Sequence, residues 1–175
     1  ARMQVLVPQG ANPAPLARRD PAIYGGVSLN ELESRIYGWA HALDISARCR
    51  QSNSEGDYID WIHDSYDNVD GMIVNPGAWS HYSYAIRDAL ELLTVPFVEV
   101  HLSDIDGREE WRRHSVGADL APLRGSGKGP DGAREAPEFL AWADAAEWVS
   151  GPTRSGPSRT RPRPPPHRPT AHHRR

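Results

Sequence analysis

A single lysine, Lys128, stands against 19 arginines in this 175-residue chain. Chemistry through an imine would have to use that one amine. It lies in the Gly-rich stretch Gly125-Ser-Gly-Lys-Gly-Pro-Asp-Gly132, a poor place to desolvate an ammonium, so Schiff-base chemistry is not expected. Cys49 is the only cysteine, which excludes an internal disulfide and a cysteine-cluster metal site. No apolar run approaches the roughly 20 residues that cross a bilayer. No stretch near the start joins a basic end, an apolar core and a small-residue cleavage site, so no secretory signal is expected. These absences favour a soluble intracellular protein, expected in the cytoplasm.

What is present divides in two. Residues 151–175 carry seven Arg, seven Pro and no acid, leaving 13 basic and 23 acidic side chains, or −10, on residues 1–150. The tail has too little apolar surface to offset its ordering entropy and reads as disordered or polyproline-like. It could touch nucleic acid through charge alone, a reading that predicts salt-sensitive binding lost with the tail. Its His167, His172 and His173 read as adventitious metal binders, not a site.

The first 150 residues read as one α/β domain. Strands are expected at Met3–Val7, Ile45–Gln51, Gly71–Val74, Val95–Leu102 and, weakened by Pro122, Leu120–Arg124. Helices are expected at Ser28–Leu43, with Ser28 and Glu31 as a capping box, and at Gly56–Ser65 with Ile59, Ile62 and Tyr66 on one face. Two more are expected at Tyr84–Leu93 and at Asp131–Trp148, the last interrupted by Pro137. A polar, proline-rich loop is expected from Pro8 to about Val27. The alternation predicts a doubly wound parallel five-stranded sheet with helices on both faces. Ligands bind beyond the carboxyl ends of such strands, so the site should follow Val7, Val74 and His101.

Those places hold Asn12, Arg18, Arg19 and Tyr24; Asn75, Ser80 and His81; and Glu99, His101, Ser103, Arg108, Arg112, Arg113 and His114. Glu99 and His101 alternate with apolar neighbours and share one face. An acid beside a histidine orients the imidazole, and a guanidinium beside a tyrosine favours the phenolate. Such pairs would supply a base and an acid without metal or cofactor. Spacing alone leaves two readings open: a working pair or a satisfied core pair, and likewise a reactive tyrosine or a surface one. Trp61, Trp79 and Trp111 read as packing groups. Gly127-Lys-Gly-Pro-Asp-Gly132 fits G-x-G-x-x-G only formally, since no strand follows it.

Four segments together resemble the type II 3-dehydroquinate dehydratases: Arg19–Gly25, Gln51–His63, Asn75–His81 and Val98–Ser115. The likeness runs from Met3 to about Ser115 and resumes loosely at Gly127–Phe139. It implies a flavodoxin-like fold, trimers building a dodecamer, and loss of water from 3-dehydroquinate to give 3-dehydroshikimate in the shikimate route, with no imine. By resemblance, Tyr24 is the phenolate base that takes the proton alpha to the C3 ketone, and Arg19 favours that phenolate. Asn12 stabilises the enolate through an ordered water. His101 protonates the departing C1 hydroxyl, and Glu99 orients it. Asn75, His81, Arg112 and the Leu102–Ser103 backbone would hold carboxylate and hydroxyls. Asp88 would reach a neighbouring subunit's site, and Arg108 would belong to a lid.

The chain departs from the family in its first loop. Relatives read Asn-Gly-Pro-Asn-Leu-Asn where this chain has Gln9-Gly-Ala-Asn-Pro-Ala14, and Ala17 replaces a glycine. Pro13 restricts Asn12, and Asp104 adds negative charge where asparagine is common. The broken fifth strand predicts a poorly docked last helix. These departures keep a second reading in view: a catalytically weak homologue that binds a shikimate-type ligand or serves as an assembly component.

Overall fold

The computed structural model describes residues 2–12, 18, 20–24, 26–101, 109–121, 123–125 and 134–145, with the backbone alone at residues 23, 24, 123–125, 142, 144 and 145. The Gly-rich stretch around Lys128, the histidine-bearing tail, Asp104 and the residues beyond 145 lie outside them.

Strand β1 (Met3–Gln9) runs between β2 (Ile45–Gln51) and β3 (Gly71–Val74), and β4 (Phe97–Val100) and β5 (Leu123–Gly125) complete a sheet in the order β2-β1-β3-β4-β5. All four pairings are parallel. β1 was expected to end at Pro8 but continues in register through Pro8↔Arg50 and Gln9↔Gln51. Proline removes one donor. Its carbonyl is nonetheless used twice, accepting from the Tyr58 hydroxyl at 3.0 Å and the Asn75 N–H at 3.2 Å.

Helix α1 (Pro21–Tyr24) occupies part of the expected loop. Asp20 accepts from the Ala22 N–H at 2.9 Å, and Pro21 supplies the preset φ of a first helical residue. Helix α2 (Leu29–Ala42) is capped by Ser28, whose hydroxyl accepts from the Glu31 N–H at 3.1 Å. It buries Leu32, Ile36 and Ala40, while Leu43 caps its end and is exposed. Helix α3 (Glu55–Ser65) buries Tyr58 and Ile62 completely; Ile59 and Tyr66, expected on the inner face, are only partly covered.

Helices α2 and α6 (Glu135–Ala145) cover one sheet face, over Val5, Val7, Ile73, Val98 and Val100. Helices α3 and α4 (Tyr84–Glu91) cover the other, over Leu6, Met72, Val74 and Phe97. A short helix, α5 (Glu110–Arg113), lies beyond β4. β4 and β5 are shorter than expected: Leu120 sits in a turn, donating to Gly117 O at 3.1 Å.

The poorly docked last helix is not observed. Ala136, Phe139, Leu140 and Ala143 are buried in the core, and each large apolar side chain so buried is worth about 1.5–3 kcal/mol. Pro137 falls in the first turn, where its missing N–H has no intrahelical acceptor to serve.

Candidate active site

The carboxyl ends of β1, β3 and β4 lie side by side, and the loops after β1 and β3 interlock through their backbones. Gly10 N–H donates to Asn75 O at 2.7 Å, and a Cβ on Gly10 would sit 2.2 Å from Pro76 O. Gly77 answers with φ +61° and packs on the Ala11 carbonyl. Glycine at both positions is a requirement of close approach.

Within this junction the amides are held by one another. Asn75 Nδ2 donates to Gln9 Oε1 at 2.8 Å, and its Oδ1 accepts from the Gly77 N–H at 3.3 Å. Asn12 N–H donates to Asn53 Oδ1 at 3.0 Å, an oxygen that also accepts from Gln51 Nε2. Asn12 takes φ +71° instead of the extended conformation expected before proline. Asparagine is among the few side chains that accept the left-handed region. Gln9, Gln51 and Asn53 thus shape the site, although sequence reasoning gave them no role. The available signal was Gln9, a polar side chain at the end of an apolar strand.

Glu99 of β4 and His101, the residue just beyond the strand, lie together. Both are buried, with His101 Nε2 3.5 Å from Glu99 Oε1. Ser115 Oγ donates to that same Oε1 at 2.6 Å. Opposite stands His81, at the end of the 3-10 turn Gly77–His81, with Nδ1 2.7 Å from His114 O. That carbonyl fixes the proton on Nδ1. Burial lowers the His81 pKa, its contact with His114 O opposes this, and the charges of His101 and Arg112 lower it further. The lowered pKa favours the neutral imidazole.

Arg112 extends the cluster outward. Its guanidinium lies 4.0 Å over the Trp111 ring, whose edge meets His81 at 5.4 Å, and its Nε is 2.9 Å from Glu109. Trp111 is thus half-exposed beside the site and not the packing group expected, whereas Trp79 packs edge-on against Tyr58 as expected. Tyr58 is no candidate base: burial and then the Glu99 charge hold its phenol well above its ordinary pKa.

The fold therefore brings Asn75, His81, Glu99, His101 and Arg112 together, with Asn12 on the adjoining loop. Asp88 is exposed on the outer side of α4. Tyr24 is the last residue of α1, and its side chain lies outside the description, as do Arg19, Leu102, Ser103 and Arg108. No group of three or more potential metal ligands occurs among the described residues. A separate groove of about 450 Å³ between β2 and α3, lined by Arg48, Arg50 and Trp61 among others, shares none of these residues.

The chain matches known proteins over most of its length. It is 49% identical over 114 residues to the 3-dehydroquinate dehydratase of Halalkalibacterium halodurans, covering 65% of this chain and 79% of that protein. It is 46% identical over 138 residues to the enzyme of the same name from Thermotoga petrophila, covering 79% and 94%. The crystal structure of type II dehydroquinase from Propionibacterium acnes superposes with a TM-score of 0.77 at 39% identity, covering 81% of this chain and 99% of that one. With residues 3–141 matching the family described as dehydroquinase class II, the chain belongs to that family.

Proposed function

We propose that this chain removes water from 3-dehydroquinate to give 3-dehydroshikimate, a step of the shikimate pathway. The family membership and the names of its relatives support the reaction. The observation that carries it is the buried Glu99–His101 pair at the end of β4, with His81 and the Arg112 guanidinium beside it.

The substrate is an anion with a ketone, and the residues suit both features. Arg112 supplies a planar fork for a carboxylate, while Asn75 and His81 offer donors and acceptors for ring hydroxyls. Tyr24, as a phenolate favoured by Arg19, takes the proton alpha to the C3 ketone. The electron pair moves onto the carbonyl oxygen, and Asn12 stabilises that enolate through a water. The enolate then reforms the ketone and expels the C1 hydroxyl, which leaves as water with a proton from His101; Glu99 keeps the imidazole aimed. The Leu102–Ser103 backbone joins Asn75, His81 and Arg112 in holding the carboxylate and hydroxyls, and Arg108 serves as the lid arginine. Hydrogen bonds aimed in advance at the enolate supply most of the rate. The weak-homologue reading rests on Pro13, Ala14 and the unusual terminus, whereas Tyr24, Arg19, Asn12, Glu99 and His101 fill every proton-handling position of the motif.

The strand order is that of flavodoxin-like folds. We place the active form in a homo-oligomer, trimers assembling to a dodecamer, with Asp88 reaching a neighbour's site. In support, Tyr84 and Leu92 are exposed large apolar groups four positions either side of Asp88 along α4 and its cap, a composition that favours a covered face. The basic stretch 151–175 is a separate appendage, and a cytoplasmic location fits a chain in which no described helix is long and apolar enough to cross a membrane.

The test is direct. On mixing with 3-dehydroquinate, absorbance of the conjugated enone product should grow with time and enzyme concentration. No signal at high enzyme concentration overturns the reading.

A further inference from the structure

Ser115 belongs to none of the roles that the family likeness assigns, yet its hydroxyl is delivered with unusual firmness. Its Oγ donates to Glu99 Oε1 at 2.6 Å, within the short range of hydroxyl-to-carboxylate bonds. The accepting atom is the oxygen that addresses His101 Nε2 at 3.5 Å. Both residues beside Ser115 are clamped. His114 O bonds His81 Nδ1 at 2.7 Å, and Val116 N–H donates to Ser80 O at 2.8 Å while its carbonyl accepts from Arg87. The serine is therefore presented from a stretch of chain pinned to the 3-10 turn and to α4.

We propose that Ser115 is a positioning residue for the dehydration: it holds the Glu99 carboxylate in one orientation and, through it, the imidazole of His101. This rests on the reading of Glu99 and His101 as the proton-handling pair. The physical need is plain. A glutamate carboxylate has about four acceptor sites, and Glu99 is buried. A donor on Oε1 selects one orientation. The charged and titratable groups around the pair are Tyr58 of α3, His81 of the 3-10 turn and Arg112 of α5. Ser115 adds a fixed dipole without adding charge. Misaiming a catalytic group costs rate more than affinity, so the effect should fall on kcat.

Steady-state turnover of 3-dehydroquinate tests this in Ser115→Ala, Ser115→Cys, Ser115→Thr, Glu99→Gln, His101→Ala and the double variant Glu99→Gln/Ser115→Ala. Circular dichroism establishes that each is folded. Ser115→Ala should lower kcat by about 10- to 100-fold, the range for a hydrogen bond to a charged group, with KM moving less than about threefold. Ser115→Cys keeps the volume but offers only a weak donor and should lose as much, whereas Ser115→Thr, which retains the hydroxyl, should recover most of the rate. Adding Ser115→Ala to Glu99→Gln should cost little more than Glu99→Gln alone. Wild-type kcat in Ser115→Ala or Ser115→Cys alongside a slow His101→Ala overturns the role of Ser115 and leaves the pair intact, as does a full multiplicative loss in the double variant. Wild-type turnover in His101→Ala overturns the reading of the pair itself, and this proposal with it.

Discussion

His101 Nε2 and Glu99 Oε1 lie 3.5 Å apart at the carboxyl end of β4, each residue at most 5% exposed. Strand periodicity alone puts two residues separated by one position on the same face. What makes them candidates for a working pair is their place at the carboxyl end of the strand. Removing the charge while keeping the shape should therefore slow the reaction: Glu99→Gln lowers kcat by about 10²-fold, with KM within a few-fold, in a steady-state assay of enone formation. Turnover equal to wild type would remove Glu99 from the proton-handling machinery.

The lowered pKa of His81 has a consequence for stability. Burial depresses its folded pKa below the ordinary value of 6.5. As pH falls through and below that value, the unfolded chain takes up a proton that the fold resists, and stability declines. Above it both states are neutral and His81 contributes nothing pH-dependent. Urea midpoints measured from about pH 7.5 down to 5 should fall less steeply in His81→Asn than in wild type. Parallel pH dependences would contradict the assignment.

Cys49 offers a check on the β2 edge. Burial, only partly offset by its contact with Tyr37, pushes its thiol up to about 12. Thiolate is the reactive form. Iodoacetamide at about pH 8 should label the native protein at least ~100-fold more slowly than the urea-unfolded chain. As the only cysteine, it gives a single rate to read, and equal rates would refute the environment described.

The interlock of the first two loops is tested by Gly10→Ala. A methyl 2.2 Å from Pro76 O must displace backbone, not a flexible side chain. Loss of about 1–3 kcal/mol in stability is expected, with turnover falling as Asn12 and Asn75 separate. A folded variant with wild-type kinetics would show that the loops do not position each other.

Most of this architecture was legible in the sequence because apolar periodicity and cap residues report burial directly. Gly71–Val74 and Ile45–Gln51 form the strands expected at those bounds. Misreadings arose where a tertiary partner outweighed a local signal. Pro8 stays in β1 because Tyr58 and Asn75 use its carbonyl. Pro137 is tolerated because it lands in a first turn, and α6 docks through Phe139 and Leu140 despite a short β5. Helix α1 was hidden among prolines that read as loop, though Asp20 and Pro21 were an initiation signal.

The site was legible as words, not as spacing. Glu99, His101, Asn75, His81 and Arg112 stand in motifs that the likeness made interpretable, and the fold gathers them. Asn53, Gln9 and Ser115 act through hydrogen bonds between residues 16 to 66 positions apart. No local pattern in a single chain records such pairings.

The central claim is that Tyr24 removes a proton and His101 completes the elimination. Enone formation from 3-dehydroquinate, followed in wild type, Tyr24→Phe and His101→Ala with each variant shown to be folded, tests it most directly. The account predicts rapid product with wild type and a loss of about 10²-fold or more in each variant. Product formed by either variant at the wild-type rate would contradict it.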